Sequence, residues 1–246
     1  MNYTIYFSIC SLFYSILLLS IIKKDNLPET NNNRAFKVLS VINFITIIAD
    51  IVYNFIAVSQ KQITIPLLIM SRIFLICLLS WIIAFTVYVY ATLFNEREKS
   101  KLDIEKHKKK VISIAILSLI ISSIAVIILP VHHNLKEIYS YGPAINFVNY
   151  FSDACLVIGI IYMFKNYNKT NGEKCAPFFA FIVGGVLMAI LQSYDPKLLI
   201  IVGVETFVTY MVYFTLDKEN KEAMRNDKII YSKGNKIQKS EQKKEK

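Results

Sequence analysis

Cysteine is sparse in this chain, and the motifs of soluble catalysis are missing altogether. Four cysteines stand at Cys10, Cys77, Cys155 and Cys175. The first three fall within apolar runs and the last in a polar loop, at no metal-ligand spacing, so neither a disulfide framework nor a zinc site is indicated. There is no G-x-S-x-G, H-E-x-x-H, Walker A, Rossmann or cytidine-deaminase-like signature. Soluble catalysis is therefore not expected, the chain reads as no enzyme, and no cofactor is implied. A long polar stretch is lacking too. The longest, the lysine-rich residues 217–246, is far shorter than an independent domain, and disorder or a short helix next to the membrane is expected there. Internal repeats are absent, and the Asn-Lys-rich loops carry no site. The start, MNYTIYFSICSLFYSILLLSIIKK, has neither a basic n-region nor an A-x-A-like cleavage site. It is expected to be a retained first span with its N-terminus outside.

What is present is apolar sequence. Hydrophobic residues make up 54% of the 246, and runs of about 20 of them, the length of a bilayer span, recur along the chain. The expected fold is all-α, a polytopic membrane helix bundle of seven transmembrane helices. The spans fall at Tyr3–Ile22, Phe36–Val58, Pro66–Phe94, Val111–Val131, Ala144–Phe164, Pro177–Gln192 and Leu198–Leu216. A net charge of +10 would suit nucleic acid, but the basic residues lie between the apolar runs and in the tail, so no nucleic-acid partner is expected. The first loop holds Lys23, Lys24 and Arg34, the second only Lys61. The third holds seven basic residues in NEREKSKLDIEKHKKK, and the fourth only Lys136. The fifth holds Lys165, Lys169 and Lys174, and the sixth only Lys197. That alternation places the odd loops and the tail in the cytoplasm. The basic third loop is expected to rest on anionic headgroups of the lipid bilayer.

Four formal charges lie well inside these spans: Asp50, Arg72, Asp153 and Glu205. At 1.5 Å rise per residue all four sit about 9 to 14 Å below the outer boundary, in one layer. Each acid has polar company at helical spacing: Asn43, Thr46 and Asn54 with Asp50, Asn146 and Asn149 with Asp153, Thr209 and Tyr213 with Glu205. These faces should point inward. The sixth span adds Gln192, and Gly184 and Gly185 for close helix approach. The fourth offers only serines and should be peripheral. An ion in hydrocarbon costs several kcal/mol even on lenient scales, so these groups should share partners or a wet cavity. Arg72 should neutralise Asp50. Asp153 and Glu205 would then hold protons or await a cation, an amine or water. The candidate ligand- or proton-binding residues are Asp50, Asn54, Arg72, Asn149, Asp153, Gln192, Glu205 and Thr209. The plainer alternative is a polar network that only fixes helix packing. His132 and His133 beside Glu137 could ligate a metal, but adjacent histidines point apart, and no metal site is expected.

Two stretches, YGPAINFVNYF at the fifth span and LQSYDPKLLIIVGVETFVTYMVYFTLDKEN from the sixth span into the tail, resemble the multi-span N-terminal sensor module of bacterial sensor histidine kinases. Glu205, Thr206 and Thr209 occupy the ETF-x-T positions, and Tyr141, Gly142 and Pro143 the loop ahead of the fifth span. The resemblance implies a signal-transduction input module of two-component type in the bacterial plasma membrane, whose last helix passes its state to the cytoplasm. No histidine follows His133, so phosphotransfer by this polypeptide is not expected. A separate cytoplasmic signalling protein, and a second copy of the chain in a homodimer, would then complete it. The competing expectation is cation- or proton-coupled transport through the same carboxyls. Against it, prolines mark span ends rather than breaking helices at mid-depth, and no acid lies in the inner half. A scaffold or immunity-type membrane protein is the third reading.

Overall fold

The computed structural model describes residues 3–25, 30–60, 62–93, 101–134, 139–166, 175–194 and 200–242. Seven helices follow one another: α1 (Tyr3–Lys24), α2 (Asn31–Ser59), α3 (Ile65–Leu93), α4 (Lys101–Ile128), α5 (Pro143–Asn166), α6 (Ala176–Tyr194) and α7 (Ile201–Gln242). A short antiparallel hairpin, β1 (His132–Asn134) and β2 (Tyr139–Tyr141), joins α4 to α5, with His133 opposite Ser140. The all-α class read from the apolar periodicity stands, and most of each stretch expected to span lies on one of the helices. Five of them, α1 to α5, are long and apolar enough to cross a membrane. The described apolar part of α6 is shorter, and Glu205, Thr206, Thr209, Tyr210 and Tyr213 make α7 more polar.

Local chemistry sets the helix ends. Thr30 opens α2 as N-cap, its hydroxyl accepting from the Asn33 amide at 3.2 Å, which satisfies one of the orphan donors of the first turn. Ahead of α5 the chain turns at Gly142, whose φ of +117° is open only to glycine. A Cβ there would lie 2.9 Å from the His132 ring.

Helix α2 packs against α1, α3 and α7, and α1 and α7 also touch each other, so these three enclose a seam. On the other side α3 packs against α4 and α5. Helix α6 lies on α7, where a Cβ on Gly184 would come within 2.6 Å of the Val204 side chain. Gly184 is thus the expected point of close approach, whereas the space beside Gly185 is open. Stacked Trp81 and Phe85, both against Phe181, tie α3 to α6.

The distribution of side chains is inside-out relative to a protein in water. Ser8, Ser11, Ser15, Asn43, Thr46, Asp50, Asn54, Glu205, Thr206 and Thr209 are all buried, while Phe13, Phe55, Ile128 and Phe164 are each more than 60% exposed. A helix in lipid satisfies its own backbone and gains nothing by hiding its apolar side chains from hydrocarbon, so small and polar residues collect between helices. With five helices of spanning length, this is the make-up of a membrane protein. Helix α4 is the most outward-facing, a row of exposed isoleucines from Ile112 to Ile128, matching the peripheral place expected of it.

Helix α7 does not stop at the end of its apolar part. It runs unbroken to Gln242, through the stretch for which disorder or a short helix is the sequence expectation. Lysine, glutamate and glutamine are good helix formers, and Lys221 bonds Asp217 one turn back at 2.6 Å.

Candidate functional site

The seam between α1, α2 and α7 holds the buried polar groups. On α2 the spacing of Asn43, Thr46, Asp50 and Asn54 puts all four on one face, and all four are buried. Asp50 accepts from Ser8 of α1 through one carboxylate oxygen and from the Asn54 amide at 2.9 Å through the other. Asn54 also donates to the Asp50 carbonyl at 2.9 Å. Nearer the other end of the seam, Asn43 donates to Thr206 at 3.3 Å. The Thr209 hydroxyl donates back to the Glu205 carbonyl at 2.7 Å and accepts from Trp81 Nε1 at 3.4 Å.

Glu205 is the exception. Only 2% of it is exposed, yet neither carboxyl oxygen has a hydrogen-bond partner among the described residues, and neither do Oδ1 of Asn43 and Oδ1 of Asn54. Asp50 lies within coulombic reach of it, and Glu205 in turn of Cys77 on α3. The seam therefore offers acceptor oxygens without donors. An unpartnered carboxyl in a dry interior costs several kcal/mol unless a proton or a cation joins it.

Asp50, Asn54, Glu205 and Thr209 are all buried on the helices of this seam, the inward placement that the periodicity predicts. Three expected members are not so placed. Arg72 is not the counter-charge of Asp50; it faces α4, where Nη1 donates to the carbonyls of Val126 at 2.9 Å, Leu129 at 3.4 Å and Ile127. The last carbonyls of a helix have no intrahelical donor, and a guanidinium supplies up to five, so the α4 terminus captures it. Asn149 and Asp153, with Asn146, are exposed on the outward face of α5 rather than turned inward. The opposite face, Ala144, Val148, Cys155, Gly159 and Met163, packs inward instead, and a Cβ on Gly159 would come within 2.6 Å of Phe178. Small side chains permit closer helix contact than a row of asparagines, and close contact decides packing in lipid. The single layer of four charges is accordingly two buried acids, one helix-capping arginine and one outward acid. Gln192 belongs to α6, but its side chain lies outside the described residues, as does Glu137 beside the paired histidines. Among the described residues no group of three His, Cys, Asp or Glu could hold a metal.

Several contacts went unanticipated. Ser8 repeats on α1 with Ser11 and Ser15 at steps of three and four, the spacing used to find the α2 face, and would have pointed to α1 as a wall of the seam. Tyr213 donates to Asp25, just beyond α1, at 2.8 Å. At the hairpin, Tyr53, Ser140 and His133 form a chain of hydrogen bonds of 2.6 and 2.7 Å. Burial pushes the His133 imidazole below its ordinary value of 6.5, with the charges of His132 and Arg72 adding to the shift. No family model matches the chain, and no curated protein matches it significantly.

Proposed function

We propose that this chain is a sensory or signalling module of the bacterial plasma membrane that crosses the bilayer seven times, with its N-terminus outside and α7 leading into the cytoplasm. The observation that carries the reading is the continuity of α7: one helix of 42 residues bears both the unpartnered Glu205 and the polar extension. A proton or small cation that joins Glu205 and Asp50 removes a cost of several kcal/mol from one packing of α7 against α1 and α2. Binding that favours one of two packings shifts the population between them. A separate cytoplasmic signalling protein reads the extension. The outward stripe of Asn146, Asn149 and Asp153 is costly against lipid and serves as the surface for a second copy.

The test is hydrogen exchange along residues 217–242 of the full chain in nanodiscs, titrated with acid and with sodium. Exchange of the extension should respond in the wild type and be flat in Glu205→Gln. A wild-type extension indifferent to both titrants would sink the proposal.

Transport is the second reading, favoured by one observation. The buried polar face of α2 runs from Asn33 through Ser40, Asn43, Thr46 and Asp50 to Asn54, a rise of about 31 Å, close to the full hydrocarbon thickness of about 30 Å. Proton or sodium flux into vesicles, abolished by Asp50→Asn, would establish it in place of the first.

A further inference from the structure

Beyond Asp50 and Asn54, towards the hairpin, α2 packs on α3 through apolar side chains. Tyr53, one turn past Asp50, is buried with Ala57 of α2 and Leu67 of α3, and its ring stacks on Phe74 at 6.0 Å. A proton bound for Asp50 from this end needs a polar path through that packing. One is present. The Tyr53 hydroxyl lies 2.6 Å from the Ser140 hydroxyl, which in turn lies 2.7 Å from Nδ1 of His133. Strand pairing fixes the second contact, since His133 of β1 stands opposite Ser140 of β2.

Every member of this chain can take a proton on one side and release one on the other. A hydroxyl both accepts and donates, and an imidazole does the same through its two nitrogens, which makes histidine a common proton shuttle. His133 is half-buried, and Nε2, the nitrogen that Ser140 does not engage, has no hydrogen-bond partner among the described residues. A lone hairpin of two short strands is marginal by itself, so water reaches that nitrogen when the strands part. Besides Tyr53 and Ser140, the groups facing the ring are Arg72 of α3 and the neighbouring His132. Neither is an acid, and together with burial they keep the imidazole neutral at neutral pH and able to accept.

We propose that His133, Ser140 and Tyr53 form the proton inlet of the seam and deliver to Asp50. A proton from water adds to Nε2 of His133, and Nδ1 gives its own proton to the Ser140 oxygen. The Ser140 proton passes to the Tyr53 oxygen. The phenol proton then reaches the Asp50 carboxylate, which lies within electrostatic reach, through a water in the turn between them, about 4.5 Å of helix rise. Only bonds to hydrogen change, and one proton moves from solvent to the acid. The inference rests on the reading that the acids of the seam take up protons.

The full chain in nanodiscs would be given a rapid drop in pH while the infrared carbonyl band of protonated Asp50, identified by its loss in Asp50→Asn, is followed in time. Tyr53→Phe keeps the stacked ring and removes the hydroxyl; Ser140→Ala removes the middle hydroxyl from the hairpin, outside the helix bundle. In both, the band should grow about a hundredfold more slowly, the scale of losing one positioned proton-transfer group, and reach the wild-type height. Tyr141→Phe takes a hydroxyl from the same strand but outside the chain and should match the wild type. Equal rates in the wild type, Tyr53→Phe and Ser140→Ala would overturn the inlet and leave the sensory reading standing, because the proton would enter elsewhere. Equal slowing in Tyr141→Phe, or a lower final height without slowing, would also overturn it by marking a merely structural role. A wild type with no band at any pH would remove the inlet, and the sensory reading would then stand or fall on the response of the α7 extension to sodium.

Discussion

Replacing Glu205 with methionine should make the bundle more stable. The carboxyl is buried with two oxygens that meet no donor, and an unsatisfied buried polar group costs about 1–3 kcal/mol. Methionine has a similar length, no polar atom to satisfy, and flexibility enough to fill an irregular space. For a chain of this size each kcal/mol moves the melting temperature by about 2–4 °C, so the gain should fall between about 2 and 12 °C. With the exposed Cys10 replaced by serine, the buried and free Cys175 serves as the reporter, its labelling by a thiol-reactive fluorophore rising on unfolding. Melting would be followed this way in detergent at neutral pH without sodium. Glu205→Gln, which keeps the shape and adds a donor for the acceptor oxygens of the seam, should fall between the wild type and the methionine variant. A drop of several degrees in Glu205→Met would refute the reasoning, because it would mean that the carboxyl is held by a favourable partner. Extra stability combined with an unresponsive α7 is the signature of a residue kept for its task at a cost to the fold.

Other outcomes follow from the rest of the molecule. Gly142→Ala forces a side chain into a positive-φ position and against the His132 ring; it should cost about 1–3 kcal/mol, seen as a lower melting temperature and faster exchange across the hairpin. Arg72→Leu removes the donor to three carbonyls at the end of α4 and should fray residues 126–129, read by amide exchange there, with a stability loss of about 2 kcal/mol for the charged hydrogen bonds; unchanged exchange at that end would count against the capping role. His133 has a folded value below its ordinary 6.5, so the folded state binds fewer protons than the unfolded one and stability rises with pH. Protection of the hairpin should therefore be complete above pH 6.5 and decline as the pH falls below it, and His133→Gln should flatten the profile.

The elements were legible because the apolar runs are long and end at lysines, asparagines and prolines, the signals that length and periodicity read best. Which face of each helix turns inward was legible only in part. For α2 and α7 the polar stripe is the packed face, since three helices close around it. For α5 the same kind of stripe points outward, because Ala144, Cys155 and Gly159 on the other side let its neighbours, Phe178 of α6 among them, approach more closely than Asn149 and Asp153 could. A charge pattern along one helix says nothing about how its rival face fits a neighbour. Arg72 misled for a related reason: its nearest acid in sequence competes with carbonyls at the end of a helix far along the chain, and only the fold reveals them. The continuation of α7 escaped notice because a lysine-rich composition is common to solvated helices and to disordered tails.

The length of α7 has a mechanical side. From Asp217 to Gln242 it extends about 38 Å past its apolar part, fixed at one end by the tight notch of Gly184 on Val204. Pivoting at Val204, about 57 Å from Gln242 at that same rise per residue, a tilt of about 5° carries the far tip some 5 Å. A displacement too small to register beside the acid would arrive at the other end as a shift of about one helical turn.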